Sequence, residues 1–341
     1  MSEWRVEVVR VGPVEAHPDA DRLEITRVHG GYPCIVAKGQ LSEGARAVYL
    51  PVDSLVPADE ERWAFLGRGR TPTVVDGRPY WRIRALRLRG VFSMGVLVGV
   101  PADMADAEAG DLVHERLGVL KYEPPEPVSM GGENERDPGF LPHYDVEALR
   151  RHPDVLIPGE DVVVTEKIHG ASGRWAWREG RLWVASHACF KKAPADGVPP
   201  TIWWRIAEQY DLAWVMKNHP GLAMYGEVYG QVQDLKYGVQ QGGLRLAVFD
   251  ILDIQQRRWL DFDEAQAVVA DMGLPWVPVL HRGPWSPDLA RLAEGRSALA
   301  NHVREGMVVR PTKERFDERV GRVQLKLHGE GYLTRKEGKD G

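Results

Sequence analysis

Short runs of strand-forming residues, repeatedly interrupted by Gly and Pro, fill the first 120 residues and constrain how this part can fold. Such runs are typical of strands, and Gly and Pro are typical of the turns that join them. The runs cover residues 4–11, 22–28, 33–37, 45–51, 81–88 and 93–98. This pattern predicts a small β-barrel over residues 1–120.

A change of composition follows the predicted barrel. The chain has 341 residues, which is enough for two domains of ordinary size. Residues 121–155 are rich in Pro, Gly and charge, and we expect them to link the barrel to a second domain at residues 156–341. In that domain we predict strands and two helices, over residues 201–217 and 261–272. The sequence therefore predicts an α+β protein.

The composition excludes several classes of protein. It is that of a globular chain, with 43% hydrophobic and 27% charged residues, and no apolar run is long enough to span a bilayer. The start of the chain lacks the apolar core of a signal peptide. With only Cys34 and Cys189 there is no disulfide framework, so we expect a cytoplasmic protein. We also expect a monomer. A net charge of −5 argues against a general nucleic-acid coat but allows a local basic groove.

The most informative motif is the string VVVTEKIHG at residues 162–170. Strand-forming residues lead to Lys167, and Gly170 allows a tight turn or a close approach to a ligand. A lysine at a strand end in a partly dry pocket can act as a nucleophile. Because an ordinary lysine is protonated at neutral pH, burial or nearby cations must first lower the pKa of Lys167. The alternative is a surface lysine at a strand end.

Four further strings follow in order, and each is a short apolar run with one or two polar residues. They are MYGEVYG at residues 224–230, LAVFDI at 246–251, EGMVVR at 305–310 and VQLKLH at 323–328. Together with EKIHG they resemble, in order and spacing, the motifs of the covalent nucleotidyltransferases. Within that superfamily the resemblance is to ATP-dependent RNA ligases, most closely the Deinococcus type. It implies antiparallel sheets with flanking helices after an N-terminal OB-like barrel.

The resemblance implies roles for the residues around the nucleophile. Lys167 would take AMP from ATP and release pyrophosphate. Glu166 would lie near the adenine amino group, Ile168 would supply a backbone contact, and Gly170 would let the backbone approach the nucleotide. His169 is expected to brace the turn by hydrogen bonding rather than to act as an acid or a base.

The later motifs would complete the nucleotide site. The resemblance implies that Glu227 accepts a hydrogen bond from a ribose hydroxyl and that Phe249 stacks on adenine, a contact worth about 1–3 kcal/mol. Glu305 would help to hold a divalent metal, Mg²⁺ or Mn²⁺, and Lys326 would contact the α-phosphate.

Plainer explanations exist for some of these residues. Phe249 in an apolar run is otherwise core, and Glu305 could be an exposed charge. Lys326 lies between leucines and should face away from them, toward a cleft or toward solvent. An unpartnered carboxylate in a strand is costly, which favours a functional partner for Glu227. Asp250 is expected to be structural.

Some positions depart from the family pattern. Relatives often have Arg or Asn five residues after the nucleophile, where this chain has Ser172, with Arg174 two residues further on. Phage-type RNA ligases carry an arginine in the next motif, and the sequence leaves open whether His187 or Lys191 replaces it. The last motif usually has two lysines separated by one residue, whereas this chain has Lys326 and His328.

The predicted barrel carries its own signals. The string HPDADRLE at residues 17–24 resembles the opening turn of the tRNA-binding OB folds appended to some aminoacyl-tRNA synthetases. One strand-like stretch carries four arginines, which favours RNA contact over a barrel that only docks on its neighbour. These are Arg82, Arg84, Arg87 and Arg89.

The function expected from these motifs is ATP-dependent RNA ligation in RNA repair. The enzyme would join a 3′-hydroxyl to a 5′-phosphate through a lysyl-AMP intermediate and an AMP-capped 5′ end, with nicked duplexes containing an RNA 3′-OH strand as substrates. One alternative is an RNA-binding OB protein with a degenerate nucleotide-binding core. Others are a DNA ligase or a capping guanylyltransferase, which the short stretch after Lys326 disfavours because both usually carry a further domain there.

Overall fold

The computed structural model describes residues 4–67, 69–123 and 130–335. The chain divides into two compact units. The first contains Met1–Pro124 and Glu147–Pro153, and the second contains Pro125–Val146 and Asp154–Gly341. Residues 121–155, predicted as a linker, are therefore shared between the two units.

Short antiparallel strands build the first unit. Their bounds are β1 Glu7–Arg10, β2 Glu15–Ala16, β3 Leu23–Val28, β4 Tyr32–Ala37, β5 Arg46–Leu50, β6 Ser54–Pro57, β7 Thr73–Val75, β8 Arg78–Arg82, β9 Leu86–Leu88, β10 Val91–Ser93, β11 Val96–Gly99 and β12 Leu120–Lys121. They form sheets in the orders β1-β5-β11, β12-β6-β8-β7, β2-β3-β4 and β10-β9. An apolar cluster that includes Val8, Leu50 and Trp63 fills the space between strands.

The predicted strand over residues 81–88 is interrupted in the structure. Strand β8 ends at Arg82 and β9 begins at Leu86, and Ile83 and Ala85 between them are both buried. Because these two side chains turn into the core, the stretch does not continue as one ladder. The four arginines therefore do not share one strand, which corrects the arrangement expected from sequence. Those at positions 84, 87 and 89 are nevertheless exposed.

Residues 147–153 are held against the strands of the first unit. Arg151 lies 3.2 Å from the carboxylate of Glu7, which also accepts a contact from His29 at 3.0 Å. The carbonyl oxygen of Arg150 would stand 1.9 Å from a Cβ atom at Gly31, so only glycine fits at that position. After residues 125–146 of the second unit, the chain thus returns to the first unit at residues 147–153 and enters the second again at Asp154.

The remaining strands follow in chain order. They are β13 Asn134–Glu135, β14 Glu147–Ala148, β15 Asp161–Lys167, β16 Ala171–Arg178, β17 Arg181–Ser186, β18 Phe190–Lys191, β19 Leu222–Gly230, β20 Leu244–Asp253, β21 Arg258–Trp259, β22 Val279–Pro284, β23 Gly306–Pro311, β24 Phe316–Asp317, β25 Gly321–Arg322 and β26 Leu325–His328. In the second unit one sheet has the order β13-β18-β17-β16-β19-β20-β21, and another contains β26-β23-β15-β22. The neighbours in both orders are antiparallel.

The α-helices of the described residues are α1 Ile202–Gln209, α2 Leu212–Asn218, α3 Phe262–Asp271 and α4 Glu330–Leu333. The single helix predicted over residues 201–217 is divided into α1 and α2. Asp211 between them has a φ of 47°, in the left-handed region, and a residue there cannot continue an α-helix. Apolar residues of α1 and α2 pack on the seven-stranded sheet, as the helical spacing of Ile202 and Ile206 predicts.

A buried network of charges joins strands of the two sheets. Asp250 of β20 has no exposed surface, and its carboxylate accepts bonds from Arg310 of β23 at 3.0 Å and from Arg322. The hydroxyl of Tyr144 donates to Asp250 at 2.6 Å, and Glu314 lies 2.7 Å from Arg322. The environment supports the structural role predicted for Asp250.

Candidate active site

The site lies where the chain passes from one sheet of the second unit to the other. Lys167 is the last residue of β15, and β16 of the seven-stranded sheet begins four residues later, at Ala171. In the antiparallel register Lys167 pairs with Gly306 of β23, and Gly306 pairs with His328 of β26. The residue before Gly306 is Glu305. This register brings the first, fourth and fifth motifs together at one end of the sheet.

Lys167 and Glu305 form a close ion pair, with 2.9 Å between Nζ and Oε2. Burial opposes charge on the lysine, but the carboxylates of Glu305 and Glu227 outweigh it and raise the pKa of Lys167 above its ordinary value. Burial likewise opposes charge on Glu305, but Lys167 and His169 hold the pKa of that carboxyl well below its usual range. The free site therefore keeps Lys167 protonated. This corrects the expectation that the surroundings lower its pKa.

Glu227 projects from the middle of β19, where it pairs with Ser172 of β16 and Ala247 of β20. Burial raises the pKa of Glu227 to about 8, although Lys167 acts in the opposite direction. A Cβ atom at Gly170 would stand 2.2 Å from the carbonyl oxygen of Val228 and 2.9 Å from Cγ of Glu227. Glycine at position 170 thus lets the turn after Lys167 lie directly against β19.

Replacing Glu227 with Gln is expected to stabilise the free protein. Because the folded-state pKa of Glu227 is raised to about 8, the wild type loses stability as pH rises from the unfolded pKa of about 4.3 to 8, whereas glutamine does not ionise. The gain should be about 0.5–2 kcal/mol at pH 8 and much smaller at pH 5. Thermal unfolding at both pH values measures it.

The matched control for this substitution is Glu208→Gln, which changes an exposed carboxylate on α1. It should leave the unfolding temperature unchanged at both pH values. A Glu227→Gln protein that is less stable than the wild type at pH 8, or whose gain does not depend on pH, would contradict the raised pKa.

Glu166 is buried beside Lys167 with one oxygen unpaired. Its Oε2 accepts a bond from the backbone N–H of Ala298 at 2.7 Å, and Arg304 lies 3.7 Å away. Its Oε1 is buried and has no hydrogen-bond partner within the protein. A buried acceptor without a donor is costly, so this oxygen suits a ligand with an N–H group.

An apolar cluster lies next to Lys167, at the junction of the two sheets that is called the cleft below. Ile168 is buried with Leu235 and Val277, and the partly buried ring of Phe249 packs against the same cluster. Lys326 is half-buried on β26, between the buried Leu325 and Leu327, and pairs in register with Val308. The structure thus brings the seven predicted nucleotide-binding residues and Lys167 to the two sheets that share this cleft.

His169 is held on both of its ring nitrogens. Its Nε2 lies 2.6 Å from Asp234, and its Nδ1 lies 3.1 Å from the hydroxyl of Tyr332 and 3.6 Å from Oε1 of Glu305. Asp234 also accepts a bond from Arg335 at 2.8 Å. Sequence reasoning missed Asp234, Tyr332 and Arg335 because no local motif marks them and the partners of His169 are distant in sequence.

The positions that depart from the family pattern have separate environments. Arg174 is buried and donates to backbone carbonyl groups, among them that of Ser186 at 3.0 Å. Lys191 is also buried, with its ammonium 5.3 Å from the ring of Trp203 and 3.1 Å from the Asn134 amide oxygen. Neither cation reaches toward Lys167 in a described contact.

The two histidines at departing positions carry little positive charge at neutral pH. The half-exposed His187 lies 3.2 Å from Asp145, and burial lowers its pKa. Burial, followed by the charge of Lys167, lowers the pKa of His328 to about 3. His328 is therefore neutral near pH 7 and does not supply the charge of the second lysine in the family motif.

Within the described ranges, no group of three or more His, Cys, Asp or Glu side chains is arranged to hold a metal ion. Glu305 and Glu227 both act electrostatically on Lys167, so two carboxyl groups lie near this lysine. A donor set this small suits Mg²⁺ or Mn²⁺ that also binds phosphate oxygens and water, because Mg²⁺ usually takes one or two protein carboxylates. Among the same residues, no helix is both long and apolar enough to cross a membrane.

Comparisons with known proteins identify both regions of the chain. Residues 160–328 match the family model described as RNA ligase, and an OB-fold domain model matches residues 5–100. A search of curated protein sequences found no match. Fold and site together define a protein of the nucleotidyltransferase type with an OB-fold domain ahead of the catalytic core. The catalytic region at residues 160–328 therefore belongs to the RNA ligase family.

Solved structures of an RNA ligase from Naegleria gruberi are similar over nearly the whole chain. The structure with PPi is 25% identical with a TM-score of 0.82, and the match covers 97% of this chain and 98% of that one. A mutant with ATP and Mn is 24% identical with the same TM-score and coverage. A mutant with AMP and Mn is 23% identical, with a TM-score of 0.83 and coverage of 99% and 100%. The predicted family, the OB-like barrel and the sheet-rich core are confirmed.

Proposed function

We propose that the protein seals RNA breaks with ATP through a covalent lysyl-AMP intermediate. The observation that carries this proposal is the placement of Lys167 beside Glu305 and Glu227 at the junction of the two sheets, within the RNA ligase match. Lys167 Nζ forms a bond to the α-phosphorus of ATP, and the bond to the leaving pyrophosphate breaks. AMP then passes to a 5′-phosphate, and a 3′-hydroxyl displaces it to form the phosphodiester bond.

The resting ion pair sets a condition for the first step. Lys167 can attack only after its ammonium group loses a proton, because the lone pair is otherwise unavailable. Glu305 is the strongest source of the charge that holds this proton, and it is also the residue suited to a divalent cation. A cation bound there would neutralise phosphate charge. If Glu305 held such a cation, less negative charge would face Lys167 and the pKa of the lysine would be lower.

The other cleft residues suit the nucleotide. The unpaired Oε1 of Glu166 can accept a bond from the adenine amino group, and the ring of Phe249 offers a stacking face. Glu227 is placed to accept from a ribose hydroxyl, and Lys326 to contact the α-phosphate. Ile168 and Gly170 bring the backbone of the turn to the same cleft. These assignments extend the roles that the sequence implies.

The RNA partner is proposed to bind through the barrel. We assign residues 1–120 to nucleic-acid binding, 121–155 to linkage and 156–341 to adenylyl transfer, in a cytoplasmic monomer. Nicked duplexes with an RNA 3′-OH strand are the proposed substrates, with contacts to 2′-hydroxyl groups giving the preference for RNA. Support for the barrel role comes from the OB-fold match and the exposed arginines.

Self-labelling tests this function. Purified protein is incubated with Mg²⁺ or Mn²⁺ and α-labelled ATP or, in parallel, GTP, and is then run on a denaturing gel. We expect a covalent band with ATP, and sealing of nicked duplexes with an RNA 3′-hydroxyl faster than those with DNA. A band with GTP alone would indicate a capping enzyme. No band with either nucleotide and either metal would overturn the proposal in favour of an RNA-binding protein.

Exposed barrel arginines provide a separate test of RNA binding. The double substitution Arg84→Ala and Arg87→Ala should slow sealing. It should also reduce the slope of a plot of log binding constant against log salt concentration by about 2, since each phosphate contact contributes about 1. Self-labelling should be unchanged. The control is Arg62→Ala with Arg116→Ala, since these arginines pair with Asp103 and Asp106 in the same unit. Equal effects of the two double substitutions would contradict the assignment.

A further inference from the structure

Asp234 belongs to no motif and contacts neither Lys167 nor Glu305, yet it is tied to the site by strong bonds. It lies between β19 and β20, and its Oδ1 is 2.6 Å from Nε2 of His169. Its Oδ2 accepts from Arg335 at 2.8 Å. The pKa of Asp234 lies well below its ordinary value, mainly because His169 donates to the carboxylate. Asp234 is therefore an ionised acceptor with both oxygens engaged.

These bonds fix the ring of His169. Because an ionised carboxylate can only accept, Nε2 carries the proton that points to Asp234. The other nitrogen then faces the hydroxyl of Tyr332 at 3.1 Å and Oε1 of Glu305 at 3.6 Å. The backbone N–H of His169 donates to Tyr237 at 2.7 Å. A ring held at both nitrogens and at the backbone has one orientation.

The end of the chain that the structure describes supports the same ring. Tyr332 of α4 lies edge-on to His169, with 5.5 Å between ring centroids, and is stacked on His328 at 6.1 Å. The guanidinium of Arg335 lies 3.6 Å from the centroid of Tyr332. Arg335 thus contacts both residues that hold His169. It forms an ion pair with Asp234 and lies over the ring face of Tyr332.

The carboxylate of Glu305 is positioned by what surrounds it. One oxygen meets Lys167 at 2.9 Å, and the other faces His169 at 3.6 Å and His328 at 3.7 Å. If the ring of His169 rotated, Oε1 of Glu305 would lose one of its two neighbouring histidines. The carboxylate would then be less firmly oriented toward Lys167. A misplacement of 1 Å in such a site can cost about 100-fold in rate.

We propose that Asp234 is a positioning residue that acts on Glu305 through His169, with Arg335 as its counter-ion. The inference rests on the proposed function, since Glu305 and Lys167 form the adenylylation site. Asp234 bonds to neither nucleotide-facing carboxylate, and its oxygens are both occupied by protein donors. Its effect is therefore on the rate of AMP transfer to Lys167 and not on the binding of ATP.

The test is a double-mutant cycle on the full-length protein. The rate of AMP attachment is measured against ATP concentration for the wild type, Asp234→Asn, His169→Gln and the combination of both. Asp234→Asn should lower the rate at saturating ATP by about 10–100-fold, as for other residues that orient a metal ligand, with the half-saturating ATP concentration unchanged. The combined variant should be no slower than His169→Gln alone.

A control and a second readout separate positioning from general damage. Asp271→Asn breaks another Asp–His contact, that of exposed Asp271 with His219 at 3.2 Å, and should label at the wild-type rate. In proton NMR spectra of the free protein, the low-field signal of His169 Nε2–H should be lost in Asp234→Asn and kept in Asp271→Asn. If Asp234→Asn does not fold, Arg335→Gln takes its place in the cycle. The variant that combines Arg335→Gln with His169→Gln should then be no slower than His169→Gln alone.

Three results would overturn the inference. One is labelling of Asp234→Asn at the wild-type rate. Another is a combined variant whose rate falls by the product of the two fold-losses seen in Asp234→Asn and His169→Gln. The third is a raised half-saturating ATP concentration with an unchanged maximal rate, which would make Asp234 a nucleotide-binding residue. A wild-type protein that is never labelled would overturn the proposed function itself, so the two failures are distinguishable.

Discussion

Protein in which Lys167 is replaced by Ala is expected to carry no AMP after incubation with labelled ATP and a divalent cation. Alanine offers no lone pair to the α-phosphorus, and among the described residues no other lysine is paired with Glu305. Loss of a nucleophile typically lowers the rate by far more than 10³-fold, about 10⁶-fold in a well-studied protease. Phosphor imaging of a denaturing gel measures the label.

Two further variants make this result specific. Lys313→Ala removes an exposed lysine of the same unit, which pairs with Asp261 at 2.9 Å, and should leave labelling intact. Lys167→Arg keeps a cation beside Glu305 but stays protonated, so it should fold well and fail to label. AMP that remains attached in Lys167→Ala, by bonds that survive denaturation, would show that another residue is the nucleophile.

The second large effect is expected from Asp250→Asn. The substitution keeps the size of the side chain but leaves the buried Arg310 and Arg322 with the carboxylate of Glu314 alone in place of two carboxylates. Removing one partner of a buried ion network typically costs about 3–5 kcal/mol. Urea unfolding followed by tryptophan fluorescence should show this loss at pH 7.

The pH dependence gives the sign of this contribution. The two arginines overcome burial and lower the pKa of Asp250 in the folded protein. The contribution of Asp250 to the free energy of unfolding is therefore complete above the unfolded pKa of about 3.9. It is lost as pH falls through the folded pKa. The difference between the wild type and Asp250→Asn should shrink in acid.

The control is Asp263→Asn, which breaks a half-exposed pair with Arg282 at 2.7 Å. Exposed pairs contribute about 0–1 kcal/mol, so this variant should unfold almost as the wild type does. A loss in Asp250→Asn as small as that in Asp263→Asn would contradict the importance of the buried network.

Residues within each motif were predictable because each motif is short and lies on one strand or directly beside it. Lys167 ends β15, Glu227 and Phe249 lie on neighbouring strands, and Glu305 precedes β23. Alternation of side chains along a strand places such residues on a definite face from sequence alone. The chemistry of the cleft could therefore be anticipated from spacing and residue type.

The contacts between motifs were not predictable in the same way. Asp234 lies 65 residues from His169, and its bond depends on how the chain between β19 and β20 folds back. The raised pKa of Lys167 depends on the 2.9 Å approach of Glu305, which only the register of β15 with β23 creates. The break between α1 and α2 arises from the left-handed backbone of Asp211, which no local sequence pattern predicts.

The ion pair at the centre of the site also bears on unwanted chemistry. An unprotonated lysine in an open cleft would react with any activated ester, anhydride or aldehyde that diffused in, and each such event would permanently inactivate one molecule. Because Glu305 raises the pKa of Lys167 and so favours its ammonium form, the empty site should react more slowly with these electrophiles. In the proposed mechanism, reactivity arises only when the charges of ATP and the cation enter the cleft, so the carboxylate proposed to serve turnover would also protect the protein between turnovers.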